Sequence, residues 1–107
     1  MSLDVYLEDE AGERLYSRNI THNLGVMAKE AGIYMHLWRP DESGITHARQ
    51  LIDPLTNGVM LLATEKRRFE QFNSPNGWGM WVHFLPFCCD YLQACKDSPG
   101  ALVRVSR

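Results

Sequence analysis

A chain of 107 residues, 45% apolar and 22% charged, has the size and balance of one domain, residues 1–107, with a single core and a radius of gyration of about 13 Å. Its 11 Lys and Arg against 13 Asp and Glu leave a net charge of −2, which provides no excess of cations to hold nucleic acid nonspecifically. The longest uncharged run, Phe72 to Cys89, carries Asn73, Pro75, Asn76, Gly77, Gly79 and Pro86, so no membrane span is expected.

Ser2 to Glu8 alternates Leu3, Val5 and Leu7 with Asp4, Tyr6 and Glu8, the period of two of a strand with one buried face. Asp9 to Gly12 is a turn cluster, and Arg14 to Ser17, carrying Leu15, predicts a short second strand and hence an N-terminal hairpin. Thr21 is placed as the N-cap of a helix with Leu24, Met27, Ala28 and Ala31 on one face and Gly32 as its stop. Ile33 to Trp38 predicts another helical turn or two, built on the i, i+4 pairs Ile33/Leu37 and Tyr34/Trp38, until Arg39 and Pro40 break it.

Thr46 is placed to cap the next segment, whose stripe runs through Ala48, Leu51, Ile52, Leu55, Val59 and Leu62. Pro54 leaves two readings, one kinked helix or a second helix that opens with Asp53 as cap and Pro54 as its first residue. Glu65 to Phe72 reads as a short charged helix that drops Phe69 and Phe72 onto the core, and Asn73 to Gly79 is a loop by composition.

The last helix, about Met80 to Lys96, places His83, Pro86, Asp90, Gln93 and Asp97 on one narrow stripe, with apolar residues over roughly 240° of its circumference. Such a helix is either central and wrapped, or it exposes Phe84, Phe87, Val82 or Cys89 as a patch for a second copy or another partner. Pro86 either kinks it or marks its true start, in which case Trp81 to Leu85 is extended. After a turn at Asp97 to Gly100, Ala101 to Ser106 alternates again. An isolated hairpin is marginal in water. The fold class expected is therefore α+β, with a small antiparallel sheet of the N-terminal hairpin plus the C-terminal strand, packed against three to five helices.

Chemical motifs are sparse. Cys88, Cys89 and Cys95 match no zinc or redox spacing and suit a reducing cytoplasm, where Cys88 and Cys95 serve as small core hydrophobes. Met1 to Glu10 shows neither a signal nor a transit peptide pattern. His22, His36, His47 and His83 share no i, i+4 face, so no metal site and no cofactor are predicted. No serine lies in a nucleophile elbow, and the carboxylates cluster in turns. The basic run Lys66, Arg67, Arg68 sits beside Glu65 and Glu70 as a solvated face.

Three places remain for recognition. His22 and Asn23 fall in the first turn of a helix, where free backbone N–H groups can meet an anion, unless Asn19 and Thr21 merely satisfy that turn. Trp38 with Arg39, and Asn76 with Trp78, sit beside helix breakers. Such indoles either plug the ends of the core or form a recognition surface, since Trp and Arg dominate binding energy when presented together.

The strings Asn19-Ile-Thr-His-Asn-Leu24, Glu30-Ala-Gly-Ile-Tyr34, Leu37-Trp-Arg-Pro40, Gly44-Ile-Thr46 and Asn76-Gly-Trp-Gly79 resemble those of a group of small uncharacterised proteins from bacteriophages and prophages. The likeness covers nearly the whole chain but departs after Gly79, where Met80, Trp81, Val82, Pro86 and Cys89 are more apolar or rigid than an amphipathic helix requires. It implies a phage accessory protein in the cytoplasm of a bacterial host and carries no catalytic residue with it.

The function expected is accordingly a nonenzymatic binding module that presents His22, Asn23, Trp38, Arg39, Asn76 and Trp78 to a host protein or small ligand. Two alternatives stand beside it: a small enzyme using His22 as base with Glu30 or Glu42 as its orienting carboxylate, and an assembly protein that dimerises through the last helix.

Overall fold

The computed structural model describes all residues, 1–107. Its elements follow the chain as β1 (Ser2–Glu8), β2 (Arg14–Thr21), a 3-10 turn (His22–Leu24), α1 (Gly25–Glu30), α2 (Tyr34–Trp38), a second 3-10 turn (Pro40–Ser43), α3 (Arg49–Thr64), α4 (Lys66–Glu70), α5 (Trp81–Asp97) and β3 (Leu102–Ser106). The fold is α+β, and the radius of gyration is 13.1 Å.

The sheet is antiparallel in the order β2-β1-β3. Its register sets Leu3 opposite Ile20, Val5 between Arg18 and Val105, and Leu7 between Tyr16 and Val103, so these residues share one face, which is covered by helices. The opposite face is polar, with Asn19 donating to Asp4 at 2.7 Å and Arg104 to Glu8 at 3.0 Å. Thr46 to Ala48 run along the outer edge of β3, where Val103 N–H donates to the Thr46 carbonyl at 2.9 Å. No strand pairs with the outer edge of β2.

β2 is longer than the predicted Arg14–Ser17 and runs on to Thr21. Its core-side positions are Tyr16, Arg18 and Ile20, and the central one is an arginine, which hides the alternation. Arg18 lies over the Phe87 ring, 6.0 Å from its centroid, and ends on Asp90 of α5. Its stem covers apolar surface while its head reaches a carboxylate at the protein's edge.

α3 and α5 form an antiparallel pair that supplies much of the core. Leu51, Leu55, Gly58 and Leu62 face Phe84, Phe87, Cys88, Tyr91, Leu92 and Cys95, both sets at helical spacing. Both prolines are internal. Pro54 interrupts neither the stripe nor the helix, and α5 is helical from Trp81, which excludes an extended Trp81–Leu85. Each proline lies within the first two turns of its helix, Pro54 half-buried beside the stripe and Pro86 exposed on the polar side, and only one intrahelical N–H is lost at each. The polar stripe His83, Pro86, Asp90, Gln93 and Asp97 is exposed as expected, whereas Phe84 and Phe87 are fully buried and cannot form a surface patch.

Helix ends are satisfied from a distance. The Ala48 and Arg49 N–H groups donate to the carbonyls of Ala101 and Pro99, both at 2.9 Å. The Gln50 side chain reaches back to accept from the Thr46 and His47 N–H groups, and no side chain caps α3, so the expected cap at Thr46 is not made; backbone carbonyls meet its first N–H groups instead. The Trp81 indole N–H caps the Leu62 carbonyl at the end of α3, at 2.9 Å. No helix is long and apolar enough to cross a membrane.

Candidate functional site

Two segments 55 residues apart in sequence meet beside the end of β2. The Asn23 amide donates to the Trp78 carbonyl at 2.8 Å. Gly79 is buried against Thr21 and Asn23 so closely that a Cβ there would stand 2.9 Å from Asn23 Cβ, and its φ of +106° is one that L side chains rarely adopt. The Asn-Ile-Thr-His-Asn-Leu and Asn-Gly-Trp-Gly strings are thus one structural unit.

The loop 73–79 is tied at nearly every residue. Asn76 Oδ1 accepts from the Trp78 N–H at 2.9 Å and the Ser74 hydroxyl at 2.6 Å. Ser74 N–H donates to the Gly79 carbonyl and Gly77 N–H to the Ser74 carbonyl, while Asn73 Oδ1 caps α5 by accepting from Trp81 N–H at 2.6 Å. Asn73 and Asn76 as side-chain acceptors, followed by Gly77 and Gly79 at positive φ, make this a compact turn system. Out of it projects Trp78, 71% exposed. A large indole left in water on a backbone held this firmly has already lost the freedom that binding would otherwise cost it.

Below Trp78 opens a cleft of about 750 Å³, whose lining includes Arg18, Asn19, His22, Asn23, Asn76, Trp78 and His83, a volume within the range of small-molecule sites. His22, Asn23, Asn76 and Trp78 are four of the six residues expected for recognition. The other two lie elsewhere. Arg39 lines a neighbouring cleft of about 450 Å³ with Lys29, Tyr34 and Arg107, and His22 borders both clefts. Trp38 is 3% exposed, stacked on Tyr34 at 5.3 Å between centroids; its ring is a plug, and the prediction that it faces outward is corrected.

Trp38 nevertheless acts on the site. Its indole N–H donates to His22 Nδ1 at 2.8 Å. An indole nitrogen can only donate, so Nδ1 must accept, and the neutral His22 ring carries its proton on Nε2. The expected free N–H groups at the helix start are not available: Asn23 N–H donates to Thr21 Oγ1, and His22 N–H to the Met1 carbonyl. The N–H groups of His22 and Asn23 therefore contribute nothing to the cleft, and these two residues meet it through their side chains.

No carboxylate bonds to His22. Glu30 accepts from Arg68 at 2.7 Å and Glu42 from Arg39 at 2.6 Å, so the two acids considered as its orienting partner are engaged elsewhere. No cluster of three or more His, Cys, Asp or Glu is placed to hold a metal ion. Burial pushes the Cys88 thiol far up and Cys95 to about 12; neither is poised as a nucleophile.

Arg18 and His83 were missed by sequence reasoning. Arg18 looks like a break in a strand pattern, and His83 like one member of a helix's polar stripe. The available signal was that Arg18 falls at an inward position once β2 is extended. No protein-family model, no curated protein and no solved structure matches this chain.

Proposed function

We propose that this chain is a nonenzymatic binding module that recognises its partner through the cleft between the end of β2 and the loop 73–79, with Trp78 as the anchor. The observation that carries this reading is the exposed Trp78 ring held at the rim of that cleft on a loop braced by hydrogen bonds at nearly every residue. Trp is among the residue types that most often dominate binding energy, and this one stands at the rim of a cleft instead of alone on a flat surface. The engagement of Glu30 and Glu42 by arginines speaks for binding over His22-based catalysis. The resemblance to phage and prophage proteins supports a setting in the cytoplasm of a bacterial host, with a host protein or a small ligand as the partner.

The test compares two tryptophan variants. Trp78→Ala should leave the melting temperature within a few degrees, since surface changes move stability by about 0.5 kcal/mol or less, yet weaken partner capture from host lysate by about thirtyfold, the scale of a lost hot spot. Trp38→Ala should cost about 3–5 kcal/mol of stability, as expected for emptying a buried aromatic site. Undiminished capture by folded Trp78→Ala would overturn the proposal.

A further inference from the structure

The hydrogen-bonding inventory of the cleft is lopsided. Partners fix the orientation of its three amides. Asn76 Oδ1 accepts from a backbone N–H, which leaves the Asn76 NH₂ group free to donate. Asn23 uses its NH₂ on the Trp78 carbonyl and Asn19 uses its own on the Asp4 carboxylate, so each of these two has its amide oxygen left. His22 carries its proton on Nε2, as Trp38 dictates, and no protein group accepts it. His83 is exposed on the first turn of α5 with its ring unbonded. Arg18 gives an Nη1 N–H to Asp90, one of the five N–H donors its guanidinium carries.

Side-chain donors therefore outnumber side-chain acceptors. None of the chain's 13 Asp and Glu lines the cleft, although they outnumber its 11 Lys and Arg. The cleft thus offers mainly donors, which suits a ligand rich in acceptors, and it differs from the neighbouring cleft lined by Lys29, Arg39 and Arg107 in having the exposed Trp78 ring at its rim. The Trp78 ring above it offers a flat face on which a second ring can stack, a geometry that adds to plain burial.

Building on the cleft as the recognition surface, we propose that its ligand is a small anion bearing a flat ring, the class of nucleoside monophosphates and aromatic carboxylates. The ring stacks on Trp78, and the anionic group takes hydrogen bonds from His22, His83, Asn76 and Arg18. Charge-assisted bonds of this kind are the stronger ones, and the cleft volume suits one such molecule.

The experiment is a titration of the protein with two matched pairs of probes, adenosine monophosphate against adenosine and benzoate against benzamide, followed by the NMR signals of the Trp78 indole and the His83 ring. At least one anion should perturb both signals and bind about tenfold tighter than its neutral twin. His83→Ala, an exposed change that leaves the fold intact, should reduce that preference several-fold, and Trp78→Ala should weaken both members of the pair. The inference is overturned if no anion perturbs both groups, or if the neutral twins bind equally well. Loss of partner capture by Trp78→Ala in that case would leave the recognition surface standing and refute only the ligand class.

Discussion

Trp38 and Trp78 look alike in sequence, each a large ring beside a helix breaker, and the structure gives them opposite surroundings. Trp38 lies one helical turn beyond Tyr34 and stacks on it, while Trp78 has a glycine on each side and no neighbour able to cover it. That flanking was the readable difference between plug and projection. The contact between Asn23 and Trp78 was not readable, because nothing local encodes a partner 55 residues away. Gly79 is where this contact is most exacting. Gly79→Ala adds a Cβ 2.9 Å from Asn23 Cβ on a backbone with φ of +106°, and strain at such positions costs about 1–3 kcal/mol. A drop of that size in unfolding free energy, with the Trp78 indole NMR signal broadened or displaced, is the expected outcome of chemical denaturation and NMR on this variant.

Among elements, those with clean periodicity were legible: β1 with its three buried aliphatics, β3 with Val103 and Val105, and the stripes of α3 and α5. The second half of β2 was hidden because a core-facing arginine breaks its pattern, its long stem spanning Phe87 to reach Asp90. Pro54 and Pro86 left alternatives open that only the surrounding packing could decide. One close approach between elements is sharp enough to test. Gly58 of α3 lies against Ile33, where an added Cβ would meet Ile33 Cγ2 at 2.9 Å. Helix propensity favours alanine there by about 1 kcal/mol, but the obstructing atom belongs to a stiff β-branched side chain, and overpacking costs about 1–3 kcal/mol. Gly58→Ala should therefore lower the melting temperature despite its better propensity. In a double-mutant cycle Gly58→Ala should cost less on an Ile33→Ala background than in the parent protein, although Ile33→Ala alone is destabilising because that side chain is buried.

For the molecule as a whole, pH should act in one direction on its acid side. Burial holds His36 below its ordinary value of 6.5, and its Nδ1 is enclosed without a hydrogen-bond partner. The unfolded chain then takes up the proton first as pH falls, so stability is complete above about pH 6.5 and declines below it. Asp41, held down by its hydrogen bond from Arg107, adds a smaller loss at still lower pH, small because the pair faces water. Urea midpoints measured from pH 7.5 to 4.5 should fall, and His36→Gln should flatten the upper part of that curve. The sheet order carries a mechanical corollary. Because Asp4 of the middle strand pairs with Ser106 of its neighbour, a tether attached at Ser2 and Ser106 would load the rungs of that ladder singly, in the manner of a zip fastener, instead of shearing them together. Under tension the molecule should yield first at this seam, while the helical pair α3 and α5 still holds.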